Sequence, residues 1–353
     1  MSVGSRAAAS LPSNSRVVDF VDAILAPGFI DIHVHGGAGH DVMQHDADAL
    51  TRMERHFAAH GVTSYCPTTV TAPLDVTYVA LERLGKIDQA PREGDRARPA
   101  GLHLEGPFIS HAKRGVHPPE NLLEPSVELF EKLWQSASGK VALMTVAPEL
   151  PCAPEMIKAA AERGVCVSLG HSNATLAETE RGILAGARHA THTFNAMRPL
   201  DHREPGVLGG VLADDRVTAD LIADGIHVHP EMVDLFLRAK GPDRAVLITD
   251  AISATGMGDG TFRLGNFDVQ VSGDLCEYEG RLAGSVLTLD RAVRNAAQFA
   301  NWPLQQAIRL ATLNPAHVLG RKDIGILAPG ARADMVVLSR SGEVQRTIIG
   351  GVV

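Results

Sequence analysis

Short apolar runs and longer amphipathic segments alternate along this chain. Apolar, β-branched runs are typical of strands, and a 3.6-residue period of apolar positions is typical of helices. The pattern predicts eight strands, at 28–34, 62–66, 100–105, 141–146, 165–170, 188–192, 217–223 and 245–250. Most are followed by a predicted helix, at 46–60, 73–88, 126–137, 154–163, 175–186, 230–239, 286–300 and 303–313. After the sixth strand, the segment EPGVLGGVLAD predicts at best one short helix.

Regular alternation of strand and helix predicts an α/β fold with parallel strands, and eight repeats predict a (β/α)₈ TIM-like barrel. A doubly wound open sheet is the alternative. Residues 261–284 alternate with a period of two and carry turn glycines, which predicts a β-hairpin insertion. We expect the barrel to span 27–321, with residues 1–26 and 322–353 forming a small β subdomain from both termini.

Composition narrows the class of protein. The chain has 353 residues, of which 45% are hydrophobic and 21% charged, as in ordinary globular proteins. A net charge of −8 gives no indication of nucleic acid or an anionic membrane as partner. The four cysteines form no CxxC pair, which predicts reduced thiols in a cytoplasmic protein. The sequence shows neither a signal peptide nor an apolar run near the roughly 20 residues of a spanning helix.

Unusual polar residues stand at the C-terminal ends of five predicted strands, and the chain contains sixteen histidines. In a barrel, these ends converge on one face, where active sites lie. Each residue alone has a simpler interpretation, as a capping, salt-bridged or hydrogen-bonded group. One shared site explains all of them at once, so we predict that they form one site. They are His33, His35, Glu105, His171, His192 and Asp250.

Imidazole and carboxylate groups together suit zinc or a similar divalent ion. We expect Glu105, His171 and His192 to supply three ligands and to leave a position for water. A bound divalent cation lowers the pKa of such a water towards ~7. Asp250 is then placed to take the proton and return it to a leaving amine.

His33 and His35 are two residues apart, so on a strand their side chains point the same way. We expect them to hold a second metal beside the first. Zn²⁺ is the expected ion, at one or two per chain, although Fe²⁺, Co²⁺ and Mn²⁺ suit the same ligand types.

A series of motifs carries a family resemblance from about Pro27 to Gly330. In order, the segments include PGFIDIHVHG, GLHLEGPFIS, KRGVH, GHSNAT, THTFNAMRPLDHREPG, ADGIHV and ITDAISATG. Together they resemble the N-acetylglucosamine-6-phosphate deacetylases of the amidohydrolase superfamily. The resemblance implies hydrolysis of the acetamide of N-acetylglucosamine 6-phosphate, which gives glucosamine 6-phosphate and acetate.

The resemblance also implies roles for individual residues. Glu105, His171 and His192 match the main metal ligands of the family, and Asp250 matches its catalytic acid/base. Further positions match residues that contact the substrate. They are His117, Asn195, Ala196, His227 and Arg203. Of these, the arginine reaches the phosphate from a neighbouring subunit in the family, which implies a homodimer.

Two alternatives remain open from the sequence. One is another amidohydrolase, such as an N-acetylgalactosamine-6-phosphate deacetylase, an N-acyl-amino-acid hydrolase or a cyclic-amide hydrolase. Glu105, with no lysine at the tip of the third strand, favours the deacetylase branch, whereas the epimer preference is undetermined. The last is a non-catalytic metal-binding scaffold, which would have no use for the proton carrier Asp250.

Overall fold

The computed structural model describes residues 17–44, 47–87 and 94–352. Four predicted segments extend beyond these residues and are described only in part. They are the terminal segments 1–26 and 322–353 and the helices 46–60 and 73–88.

Eight parallel strands form the wall of a barrel. They are β1 (Phe29–Val34), β2 (Val62–Thr69), β3 (Leu102–Glu105), β4 (Val141–Val146), β5 (Cys166–Leu169), β6 (His189–Ala190), β7 (Ala219–Ile222) and β8 (Ala245–Ile248). Strands β1 to β6 pair in chain order, and β7 pairs with β8. The predicted α/β barrel is therefore confirmed, and every predicted barrel strand is present.

Backbone hydrogen bonds close the two seams between these sheets. At the seam between β6 and β7, the N–H of Thr193 donates to the carbonyl of Asp220 at 2.9 Å. At the seam between β8 and β1, the N–H of Asp250 donates to the carbonyl of His33 at 3.0 Å. Beside it, the N–H of His35 donates to the carbonyl of Ala251 at 2.8 Å. The seam between β8 and β1 consequently closes through residues predicted to be functional.

Helices surround the barrel. They are α1 (Ala47–Ala59), α2 (Leu74–Leu84), α3 (Val127–Ser136), α4 (Ala153–Glu162), α5 (Leu176–Ala185), α6 (Gly206–Ala213), α7 (Pro230–Arg244), α8 (Leu289–Phe299), α9 (Leu304–Leu310) and α10 (Leu313–Val318). The start of α5 is fixed by a capping box between Thr175 and Glu178, as the sequence pattern allows. Helix α7 is broken at Gly241 (φ 68°), which precedes Pro242. Throughout the described residues, none of the helices combines the length and apolar character required to cross a membrane.

Two further antiparallel sheets flank the barrel. The terminal sheet pairs strands from both ends of the described chain, Ile24–Pro27, Met335–Leu338 and Val344–Ile348. The insertion sheet has four strands where the sequence predicts a hairpin, Gly260–Leu264, Phe267–Ser272, Leu275–Tyr278 and Arg281–Leu282. Short pairings join Gly36–Gly37 to His40–Asp41 and Arg98–Pro99 to β2. The domain boundaries given above stay a prediction.

A buried lysine secures the short helix α6. Lys240 on α7 is 1% exposed, and its Nζ donates to the carbonyls of Val211 at 2.7 Å and Asp214 at 3.0 Å. Carbonyls at the C-terminal end of a helix have no partner within the helix, and a cation there also suits the helix dipole. Lys240 therefore fixes the end of the helix that follows the loop 193–205.

We predict that Lys240→Met lowers the free energy of unfolding by about 1–3 kcal/mol, because two carbonyls lose their donor while the packed volume is kept. Urea denaturation of the metal-free chain measures this change. The matched control is Lys132→Met, which removes an exposed lysine paired with Glu128 on one helix face. We expect the control to change the stability by less than about 0.5 kcal/mol. Equal losses in the two variants would contradict the proposed capping role.

Candidate active site

A cavity of about 200 Å³ opens at the C-terminal ends of the barrel strands. Its wall includes five of the six strand-end residues predicted to form one site, and the sixth, His33, lies within 3.4 Å of three of them. The insertion sheet contributes Leu264 and Leu282 to the lining of the cavity. The structure thus brings the predicted strand-end residues together, although they are distant in sequence.

The carboxylate of Glu105 lies at the centre of the site. Its Oε1 is 3.2 Å from Nε2 of His171 and 3.0 Å from Nε2 of His192. These two imidazole nitrogens are themselves 3.0 Å apart. One carboxylate oxygen and two ring nitrogens therefore face a common point.

A second group of atoms lies beside the first. Nε2 of His35 is 3.1 Å from Oε2 of Glu105 and 3.2 Å from Oδ1 of Asp250. Nε2 of His33 is 3.2 Å from that of His35 and 3.3 Å from the same Asp250 oxygen. Glu105 consequently borders both groups, because its Oε2 faces His35 and its Oε1 also lies 3.4 Å from Nε2 of His33.

The separations between these atoms fit a divalent ion. Nitrogen and oxygen ligands held about 2.0–2.1 Å from a tetrahedral zinc lie about 3.3 Å from one another. The Nε2 and carboxylate oxygen atoms around Glu105 are 3.0–3.4 Å apart. The residues present are therefore able to hold a metal ion.

In two histidines, His171 and His35, a hydrogen bond at Nδ1 determines that Nε2 is the nitrogen free to bind a metal ion. Nδ1 of His171 lies 2.9 Å from the carbonyl oxygen of Lys113, and Nδ1 of His35 lies 3.1 Å from that of Thr68. A carbonyl only accepts, so each Nδ1 carries a proton and donates it. The neutral rings then present the lone pair of Nε2 to the site, as metal ligands require.

His117 has the opposite arrangement. The backbone N–H of Thr71 donates to its Nδ1 at 3.4 Å, and the Thr71 hydroxyl lies 2.7 Å from the same atom. Its neutral ring therefore carries the proton on Nε2, which faces the cavity 3.5 Å from Glu105. By position His117 could hold an ion together with Glu105 and His171, but in this tautomer it presents a hydrogen-bond donor to the site.

The carboxylates of the site remain ionised in the metal-free protein. Burial alone would raise the pKa of Glu105, but the charge of His33 and the hydrogen bond from His117 hold that pKa well below its usual value. Burial likewise opposes ionisation of Asp250, and His33 and His35 overcome it, which lowers the pKa of Asp250 to about 2. A pair of buried negative groups is what a divalent cation neutralises.

Backbone strain accompanies the site. His171, His192 and Asp250 follow their strands with φ of 46°, 28° and 50°, a region that residues other than glycine seldom adopt. Gly170 allows the chain to approach closely here, because a Cβ would lie 2.9 Å from both Thr145 and Thr191. Such conformations persist where surrounding contacts hold them, and they cluster at functional sites.

Sequence reasoning missed several buried acids that support these strand ends. Asp31 accepts the hydroxyl of Thr249 at 2.6 Å and the N–H of His33 at 3.3 Å. Asp220 accepts the N–H of His192 through one oxygen, and its other oxygen lies 2.9 Å from Nε2 of His189. A charged residue in the middle of an apolar strand is the signal that could have revealed both acids.

The predicted substrate contacts separate into two groups. His227, Asn195 and Ala196 line the cavity, and Asp224 accepts a hydrogen bond from Nδ1 of His227 at 2.6 Å. Arg203 is exposed and is not among the described residues that line the cavity of its own chain.

We predict that Glu105→Gln lowers the number of zinc ions per chain, because the amide removes the negative charge shared by both groups of ligands. Elemental analysis of the purified variant measures the zinc content. The control is His229→Ala, which removes an exposed histidine paired only with Glu231 in the described structure and should leave the zinc content unchanged. Wild-type zinc content in the glutamate variant would show that metal binds elsewhere.

Comparisons with known proteins agree with this geometry. The amidohydrolase family model matches residues 24–353. The chain is 41% identical over 342 residues to N-acetylglucosamine-6-phosphate deacetylase of Bos taurus, covering 93% of this chain and 82% of that protein. It is also 41% identical over 330 residues to N-acetylgalactosamine-6-phosphate deacetylase of Escherichia coli O157:H7, covering 93% and 87% of the two chains.

The crystal structure of N-acetyl-D-glucosamine-6-phosphate deacetylase from Mycobacterium smegmatis is similar throughout. It superposes with a TM-score of 0.90 at 35% identity and covers 97% of this chain and 90% of that one. A mutant of the same enzyme, solved in complex with N-acetyl-D-glucosamine-6-phosphate, gives a TM-score of 0.91. The chain belongs to the amidohydrolase family.

Proposed function

We propose that the chain hydrolyses the acetamide of N-acetyl-D-glucosamine 6-phosphate to D-glucosamine 6-phosphate and acetate. The observation that carries the proposal is the pairing of two kinds of histidine around Glu105. His171 and His35 present lone pairs for a metal, whereas His117 presents a proton. The names of the relatives and the substrate bound in the similar structure support the choice of substrate.

The proposal gives each group a chemical task. A divalent ion in this site supplies Lewis-acid activation of water and of an amide carbonyl. Asp250 accepts the proton of the attacking water and delivers it to the amide nitrogen as the C–N bond breaks. The Nε2–H of His117 donates to the carbonyl oxygen as negative charge develops on it, where such a donor has most effect.

Zn²⁺ is the ion we propose, bound by Glu105, His171 and His192, with a second ion at His33 and His35. Two imidazoles and one carboxylate form a ligand set found in zinc hydrolases. Fe²⁺, Co²⁺ and Mn²⁺ are compatible with the same ligands. All four cysteines are free thiols, which supports the cytoplasm as the proposed compartment.

The sugar phosphate has a proposed binding region in the same cavity. Asn195, Ala196 and His227 lie there, and backbone N–H groups and imidazole suit a phosphate or sugar hydroxyls. Because Arg203 is exposed rather than lining the cavity of its own chain, we propose that it completes the phosphate site of a second subunit in a homodimer.

We predict metal-dependent acetate release from N-acetylglucosamine 6-phosphate. Chelated enzyme should be inactive, and added Zn²⁺ should restore turnover. Asp250→Asn should lose about 10²- to 10⁴-fold in kcat, as expected for a lost acid/base. Parallel assays use the unphosphorylated sugar and the galacto epimer. Faster turnover of the galacto epimer would show that the epimer, and not the gluco sugar, is the substrate. A fully active Asp250→Asn variant would contradict the acid/base role of Asp250.

We predict that Arg203→Ala lowers kcat/KM for the phosphorylated sugar about 10- to 150-fold, because a charge-assisted arginine–phosphate contact contributes about 1.5–3 kcal/mol. Turnover of the unphosphorylated sugar should stay unchanged. Arg216→Ala, which removes an exposed arginine paired with Asp214, is the control and should change neither. An equal loss for both sugars would exclude a phosphate contact.

A further inference from the structure

One strand of the barrel has no residue in the cavity wall. Among the described residues that line the cavity, every other barrel strand or the loop after it contributes at least one, but β4 and the following residues 147–152 contribute none. The loop after β4 nevertheless carries an acid, Glu149, whose side chain points at a neighbouring strand end.

Both carboxylate oxygens of Glu149 are used on the loop that follows His171. Oε2 accepts the hydroxyl of Ser172 at 2.7 Å, and Oε1 accepts the backbone N–H of Asn173 at 2.6 Å. The Ser172 hydroxyl oxygen in turn accepts the N–H of Ala174 at 3.0 Å. The carboxylate of Glu149 thus holds Ser172 and Asn173 directly, and it holds Ala174 through the hydroxyl of Ser172.

The held residue is also a junction between two loops of the site. The N–H of Ser172 donates to the carbonyl of Ala196 at 3.0 Å, and the N–H of Arg198 donates to the carbonyl of Ser172 at 2.9 Å. Movement of Ser172 would therefore displace both His171 and the loop that carries Ala196.

His171 needs such support from outside its own strand. Its φ of 46° costs free energy for a residue with a side chain, and the chain adopts it only where neighbours impose it. The ring is fixed at Nδ1 by the carbonyl of Lys113, and the backbone carbonyl of His171 accepts the N–H of Ser110 at 2.9 Å. Two residues after His171, the backbone N–H of Asn173 donates to Glu149.

We propose that Glu149 is a positioning residue that holds the His171 loop so that Nε2 of His171 meets the metal. It acts through Ser172 and Asn173 and touches neither substrate nor metal. This inference rests on the proposed metal site. Groups that orient a ligand from behind typically change metal affinity 10- to 100-fold when they are removed.

The test measures zinc affinity of the full-length, metal-free chain by competition with a chromophoric chelator, without substrate. We expect Glu149→Ala to raise the zinc Kd 10- to 100-fold. Glu149→Gln should raise it less, because the amide oxygen still accepts the N–H of Asn173 while its NH₂ group opposes the Ser172 hydroxyl. The matched control is Glu162→Ala, an exposed glutamate on α4, and should leave the Kd within twofold of wild type.

A second readout separates positioning from a general loss of structure. At saturating zinc, kcat of Glu149→Ala should return to within threefold of wild type, because the ion itself draws His171 back into place. If the alanine variant does not fold, the glutamine variant carries both measurements. A zinc Kd within twofold of wild type in the folded variant overturns the role of Glu149 and leaves the proposed function intact. A wild-type chain that binds no zinc overturns both.

Discussion

The buried carboxylate of Glu105 is the interaction on which the arrangement of the site depends. Its two oxygens lie 3.0–3.5 Å from the Nε2 atoms of five histidines, which come from four parts of the barrel. A carboxylate that leaves water loses several kcal/mol of hydration, and only nearby positive charge or donated protons offset that loss. The strand ends must therefore converge around Glu105, whether protons or a metal ion supply the charge.

Holding these ends together requires a second set of acids that do not face the cavity. Asp220 accepts the backbone N–H of His192, and Asp31 connects β1 to β8 through the hydroxyl of Thr249. Glu149 has the same relation to the loop after His171. Each acid holds residues of a strand or loop other than its own. Asp31 in addition accepts the N–H of His33, which lies on the same strand. The backbone at or beside the strained residues is consequently held from outside the cavity as well as by the contacts within it.

The sequence allowed the strand ends to be predicted, because the alternation of apolar runs and helical segments places them in order along the chain. It did not allow the roles of the histidines to be separated. The proton of His117 is placed on Nε2 by Thr71, 46 residues away in sequence, and that of His171 on Nδ1 by the carbonyl of Lys113. Backbone carbonyls occur at every residue and N–H groups at every residue except proline. A pattern of side chains therefore does not predict which backbone group will bond to a given histidine.

The same limit applies to the insertion sheet and to Glu149. A period-two sequence pattern is the same for a two-stranded hairpin and for a sheet of four short antiparallel strands. Only the strand pairing observed in the structure distinguishes these two arrangements. Glu149 stands in the loop 147–152, where an acid is ordinary, whereas Asp31 and Asp220 stand in apolar strands, where an acid is unusual. Support from a loop therefore escapes sequence analysis more easily than support from a strand.

The seam between β8 and β1 joins the fold directly to the chemistry. The bonds that close it, from Asp250 to His33 and from His35 to Ala251, belong to the residues whose side chains meet at 3.2–3.3 Å in the cavity. The distance between the proposed proton carrier and the second pair of ligands is thus set by backbone pairing rather than by flexible side chains. A change that opened this seam would separate Asp250 from His35 while leaving the pairing of Glu105 with His171 and His192 in place. Closure of the barrel is therefore a condition for proton transfer more than for binding the first metal ion.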